Sequence, residues 1–213
     1  MQHLGRWEHA IGETAVDEDL KTSLEFVRDR VICGRPRVVD ANPGRVFHLY
    51  TDACYENLCG GVGGVLFDES GTMLSYFSAQ ISQNQVMRLN PLRKDTIIFE
   101  LEALAAWLGG YFLLQSAAVC PNYRVGVFLD NDGVLGRIIS GKSGLGLDGL
   151  IINGILEWEY SLRALVWYER FPSAANIADP PSRGELIGFR KELRVELDID
   201  CALNELLNPN LIG

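Results

Sequence analysis

The chain has 213 residues, 47% of them hydrophobic and 22% charged, which suits one sizeable core with at most a small appendage. No apolar run approaches the ~18 residues a membrane helix needs and residues 1–9 do not form a signal peptide, so an intracellular protein (cytoplasmic or nuclear) without a membrane segment is expected. A formal net charge of −9 argues against a freestanding binder of nucleic acid, although Arg124, Arg137, Lys142, Arg163, Arg170 and Arg183 leave room for a local basic face.

Five cysteines (Cys33, Cys54, Cys59, Cys120, Cys201) contain no C-x-x-C pair and read as free buried thiols. Of three histidines, His3 and His9 fall in the N-terminal tail, which leaves His48 and excludes histidine-based triads and H-E-x-x-H zinc chemistry.

In chain order, Asp17 to Ile32 predicts a helix, with Leu20, Leu24, Val27 and Val31 at helical spacing and Gly34 and Pro36 just beyond. Residues 35–45 read as a connector. Val46 to Leu49 then forms an apolar run that leads to Tyr50, Thr51 and Asp52, the expected central strand. A carboxylate at its end would be held rigidly, and its desolvation calls for a positive partner. The glycine-rich Gly60–Phe67 and the run Thr72–Ser78, joined by the turn Asp68–Gly71, predict a hairpin, so three antiparallel strands open the domain.

Thr96 to Gln115 carries Ile97, Leu101, Leu104, Leu108 and Phe112 on one helical stripe. At 100° per residue Glu100 lies on the flank of that stripe and Glu102 points away, so Glu100 is the expected inward carboxylate and Glu102 a solvated charge. Arg124 to Leu129 repeats the first strand's design and ends in Asp130. A short helix over 134–139, a glycine-broken loop, a helix over 150–165 and a strand over 166–171 follow. Asp179 before Pro180 is a good helix start, with the acid at the cap and proline in the first turn. Gly184 to Leu197 reads as helical, and 198–213 as a tail with a further possible turn of helix.

The order is three strands, helix, strand, two helices, strand, helix. Acids at such places converge only if the two acid-tipped strands are neighbours, and the resulting cluster would repel itself without cations. Two divalent ions ~3.5–4 Å apart are the usual answer in phosphodiester hydrolysis. Oxygen ligands and the lack of usable Cys or His favour Mg²⁺, with Mn²⁺ as a substitute, over Zn²⁺.

The pieces Tyr50-Thr51-Asp52-Ala53-Cys54, Phe99-Glu100-Leu101-Glu102-Ala103, Phe128-Leu129-Asp130-Asn131 and Asn176-Ile177-Ala178-Asp179 with Ser182-Arg183 stand in an order that resembles the ribonuclease H domain of reverse transcriptases, especially those of retrotransposons. The resemblance spans roughly Val46 to Arg183. It implies an α/β ribonuclease H-like fold: a mixed five-stranded sheet, three strands antiparallel and then two parallel, flanked by helices, over residues 46–197. Residues 1–45 become a helix and connector from a polymerase side, and a polymerase domain a possible partner. It also implies a metal-dependent endonuclease that cuts the RNA strand of RNA–DNA hybrids, with Asp52, Glu100, Asp130 and Asp179 as catalytic metal ligands. Asp52 would bridge both ions, Asp130 would hold the ion beside the attacking water, and Glu100 would hold the other ion near the substrate 2′-hydroxyl, the group that marks RNA. Asn131, Lys142, Asn176, Ser182 and Arg183 are the implied substrate contacts. The chain lacks the histidine that many active relatives carry before the last acid, and the basic helix of some cellular members is absent too. Both absences occur in polymerase-attached members.

Three rivals stand beside this reading. Gly136 to Ser143 satisfies G-x-x-x-x-G-K-[ST], but the preceding strand ends six residues too early for a phosphate loop. A catalytically inactive scaffold or binding module of the same fold is the second. Transposase, resolvase and exonuclease relatives are the third, and Asp52-Ala53-Cys54 lacks the D-x-E usual in proofreading exonucleases.

Overall fold

A computed structural model of the chain describes residues 21, 24–25, 27–28, 31–32, 44–117, 119, 123–141, 146–162 and 164–207. The chain divides into two compact units, Met1–Pro36 and Arg37–Gly213. In the first, the described residues are helical and fall within the expected helix; the rest of that helix, and most of the expected connector, lie outside the described residues.

The second unit is built on a five-stranded sheet, with β1 (Val46–Glu56), β2 (Cys59–Asp68), β3 (Met73–Ile81), β4 (Arg124–Leu129) and β5 (Leu165–Arg170) in the order β3-β2-β1-β4-β5. β1 is central, antiparallel to β2 and parallel to β4, while β2–β3 is antiparallel and β4–β5 parallel. β1 alternates as a strand with one dry face should: Phe47, Leu49, Thr51 and Ala53 are buried, and His48 and Tyr50 are half-buried on the other side. It runs past Asp52 to a two-residue turn in which Asn57 (φ 53°) and Leu58 (φ 62°) are both left-handed, the geometry that matches the twist of a tight hairpin. The second turn is held by Asp68, whose Oδ1 accepts hydrogen bonds from the backbone of Ser70 and Thr72.

Helix α1 (Gln83–Leu89) is an addition to the expected elements, although Ser82 and Gln85 form a reciprocal capping box at its start, an S-x-x-Q pattern visible in the sequence. The helix expected over 96–115 is α2 (Ile98–Leu108), continued by a π-helical stretch Gly109–Leu114. α2 packs on β1 and β2 on one side and on α4 (Leu147–Leu162) on the other, so every residue from Glu100 to Leu108 is buried. Gly110 permits this stacking, since a Cβ there would lie 2.1 Å from the Trp158 ring.

Asn131 caps α3 (Asp132–Ser140), accepting hydrogen bonds from the backbone N–H groups of Gly133 and Val134. Gly136 lies inside that helix, so the first part of the G-x-x-x-x-G-K-[ST] stretch cannot form a phosphate-cradling loop; Lys142 and Ser143 lie outside the described residues.

Two expectations at the C-terminal end are corrected. Residues 184–197 do not form a long helix: Gly184 (φ 77°) and Gly188 (φ 89°) turn the chain, only Lys191–Leu193 makes a 3₁₀ turn, and the Val195 N–H donates to the Tyr76 carbonyl beside β3. Beyond residue 198 the chain is more than a tail. α6 (Ile199–Leu207) buries Ile199, Ala202, Leu203 and Leu206 in the main core and is tied to α1 through Arg88, which contacts Asp200 and Asn204.

The thiols also differ from expectation: Cys54 is half-buried, Cys59 and Cys201 are exposed, all three are free, and Cys33 and Cys120 lie outside the described residues. Among the described residues no helix is long and apolar enough to cross a membrane.

Candidate active site

The parallel register pairs Tyr50 with Phe128. Two residues further along both strands stand Asp52 and Asp130, so the acids come together because the two strands are neighbours and end at the same level. The third member is Glu102, on α2. Asp52, Glu102 and Asp130 each offer a carboxylate oxygen within 4.8 Å of the others.

Here the structure exchanges one expected residue for another. Glu100 points elsewhere: it is 3% exposed, and its Oε1 meets the Lys94 ammonium at 2.5 Å. Glu102, expected in solvent, is also 3% exposed. The stripe argument needs a wet face to sort one acid from the other, and α2 has none. The nearly unbroken apolar run from Ala103 to Leu108 was the signal that both acids lie inside.

Asp52 is 3% exposed and held by two neutral donors rather than the expected cation. Ser182 Oγ donates to its Oδ2 at 2.7 Å and Asn176 Nδ2 to its Oδ1 at 3.2 Å. Among the described residues no ion pair to Asp52 is present. Asn176 also donates to the Thr51 carbonyl and accepts from the Ala178 N–H, so its amide links the end of β1 to the approach to α5 (Asp179–Ser182). Asn176 and Ser182 are buried, at 5% and 0% exposure. They stand behind Asp52 and position it, which corrects their expected role as substrate contacts.

The four-residue α5 lies flat on β2, and the glycines of that strand are the reason. A Cβ at Gly61 would come within 2.0 Å of the Ser182 carbonyl oxygen, and one at Gly63 within 2.5 Å of the Ser182 nitrogen. Ser78 Oγ donates to the Pro181 carbonyl and Cys54 Sγ to that of Ser182. Asp179 therefore stands at the rim, outside the three-carboxylate group, with Arg183 Nε donating to its Oδ1 at 3.0 Å and the other arm of Arg183 on Glu56 at 3.0 Å. The oxygen of Asn131 is committed to capping α3.

The electrostatics follow from this crowding. Burial, reinforced by the charges of Asp52 and Asp130, pushes Glu102 up to about 9. Burial, with Asp130 and Asp179 adding to it and the Ser182 hydrogen bond and Arg183 opposing it, pushes Asp52 up to about 7. Glu102 Oε2 is buried with no hydrogen-bond partner. A buried, partnerless carboxylate oxygen beside two further carboxylates is costly for a protein alone and well suited to a hard divalent cation. The donor set, all oxygen, fits Mg²⁺ or Mn²⁺.

No protein-family model matches the chain, and no curated protein matches it by sequence. Solved structures do. The N-terminal RNase H domain of a Mycobacterium tuberculosis protein, solved as a fusion with maltose-binding protein, aligns at TM-score 0.53 and 16% identity over 67% of this chain and 94% of that one. RNase H1 from the halophilic archaeon Halobacterium salinarum aligns at TM-score 0.50 and 14% identity over 67% and 98%. An LC11-RNase H1 in complex with an RNA/DNA hybrid aligns at 0.53 and 19% over 65% and 94%. With the mixed sheet and its strand order, these likenesses establish a ribonuclease H-like fold.

Proposed function

We propose that this ribonuclease H-like chain is a metal-dependent endonuclease that hydrolyses the RNA strand of RNA–DNA hybrids. The observation that carries the reading is the meeting of Asp52, Glu102 and Asp130 within 4.8 Å around a carboxylate oxygen that has no protein partner. A similar fold has been solved with an RNA/DNA hybrid bound, which supports the choice of substrate. The order of the four sequence motifs supports an origin in a reverse-transcriptase polyprotein.

In this reading Asp52, Glu102 and Asp130 hold divalent ions, two of Mg²⁺ by preference, and Asp179 completes the set from the rim. When bound, such ions lower the pKa of water and neutralise charge on the phosphodiester. Asp52 contributes rigidity, because Ser182 and Asn176 fix both its oxygens. Glu102 contributes a charge that must be unprotonated to bind, so arrival of the cation releases the proton that Glu102 retains near neutrality.

The test is cleavage of a labelled hybrid in Mg²⁺ and in Mn²⁺, with RNA, DNA and DNA-duplex controls. Cleavage confined to the RNA of the hybrid, reduced by about three orders of magnitude in Asp52→Asn, Glu102→Gln and Asp130→Asn, is expected. Cleavage unchanged in those variants would refute the assignment. A non-cleaving scaffold is the second reading, favoured by the Arg183 contact that occupies Asp179. Metal-dependent hybrid binding without strand scission would select it.

A further inference from the structure

We propose that Arg183 is a positioning residue that parks the Asp179 carboxylate at the rim of the site and yields it when a divalent cation enters, an inference that rests on the metal-dependent reading above. The geometry divides what is fixed from what can move. The backbone of α5 is pinned: Ser182 contacts β2 where only glycine fits, Ser78 donates to the Pro181 carbonyl, and the Arg183 N–H donates to the carbonyls of Asp179 and Pro180. Asp179 can therefore change partners only by rotating its side chain.

The contact it would leave is exchangeable. Asp179 and Arg183 are 41% and 42% exposed, and ion pairs so open to water contribute little. Departure of Asp179 does not strand the guanidinium, because its other arm stays on Glu56 at the end of β1. Nor does it loosen Asp52, whose bond from Ser182 involves no atom of the Asp179 side chain. The guanidinium thus takes the place of the cation at Asp179 while the other three acids stand together. An arginine suits this role better than a lysine, since two separate N–H donors serve two carboxylates at once.

The test is Mn²⁺ binding by calorimetry at pH 7 and 0.15 M salt, which reads the metal site without hydrolysis. Arg183→Gln is expected to tighten Mn²⁺ binding by about 3- to 10-fold, the worth of one exposed ion pair. In an Asp179→Asn background the same substitution is expected to change binding by less than about 2-fold. Glu56→Gln, a surface change that leaves the guanidinium to Asp179 alone, is expected to weaken binding about 2-fold. Equal tightening by Arg183→Gln with and without the Asp179 carboxylate would mean that Arg183 acts only through its charge, and overturns the proposal. Unchanged or weaker binding in Arg183→Gln, or tighter binding in Glu56→Gln, overturns it as well. Failure of the underlying reading looks different: the wild-type protein binds no Mn²⁺, or Glu102→Gln binds it as the wild type does.

Discussion

Replacing Glu102 by glutamine keeps the shape of a buried side chain and removes its ability to ionise. In the metal-free folded state Glu102 titrates at about 9, against an ordinary value of 4.5. A raised pKa means that the folded state holds the proton more tightly, so the stability it contributes is complete below pH ~4.5 and is lost progressively as pH rises towards 9. Each unit inside that window costs about 1.4 kcal/mol. At pH 8 the wild type has therefore lost on the order of 5 kcal/mol that the Glu102→Gln variant cannot lose, and water entry at the site lowers the expected difference to about 2–5 kcal/mol. Asp52 adds a slope of the same sign, but it is present in both proteins. Urea unfolding in EDTA at pH 5, 6.5 and 8 measures the difference directly. The two curves should converge near pH 5 and separate as pH rises, with Glu102→Gln the more stable. Mg²⁺ or Mn²⁺ at about 100 times its dissociation constant should then restore about 2.7 kcal/mol to the wild type and almost nothing to the variant. A variant less stable than wild type at pH 8 without metal would refute the buried, cation-seeking carboxylate.

Ser182→Ala removes the donor on Asp52 Oδ2 and should cost about 1–3 kcal/mol in urea unfolding, together with a fall in metal affinity. Gly63→Ala drives a Cβ to 2.5 Å from backbone that cannot yield, so a loss of about 3 kcal/mol and disturbance of the Asp179 turn are expected, visible in unfolding midpoints and amide exchange around residues 178–184. Glu100→Gln separates the two acids of α2. It should weaken the contact with Lys94 and lower the melting temperature, yet keep hybrid cleavage within about 10-fold of wild type, while Glu102→Gln loses it.

The strands and the acids at their ends are legible in the sequence because each depends on short-range chemistry. An apolar run tipped by Asp52 and another tipped by Asp130 can be read directly, and the parallel register between Tyr50 and Phe128 supplies what no local pattern carries, their meeting. The choice between Glu100 and Glu102 fails for a definite reason. Helical phase distinguishes a dry face from a wet one, and α2, covered by the sheet and by α4, has only dry ones. Asn176 and Ser182 do belong to the site, but their task is not legible, since burial behind Asp52 is a tertiary property. The charged residues 184–197 read as a helix by composition, whereas Gly184 and Gly188 take left-handed backbone there and the chain runs on beside β3.

The π-helical stretch Gly109–Leu114 bears on how the chain tolerates changes of length. A turn closed one residue wider than its neighbours is equivalent to an insertion already absorbed into a helix. Losing one residue there would return the stretch to ordinary helical pitch and rotate the residues C-terminal to it by about 100°, while Glu102, on the N-terminal side of Gly109, would keep its aim at the sheet. Length variation is thus confined to the end of the helix remote from the carboxylates, and relatives of this fold should differ by single residues between positions 109 and 114 more readily than between 98 and 108.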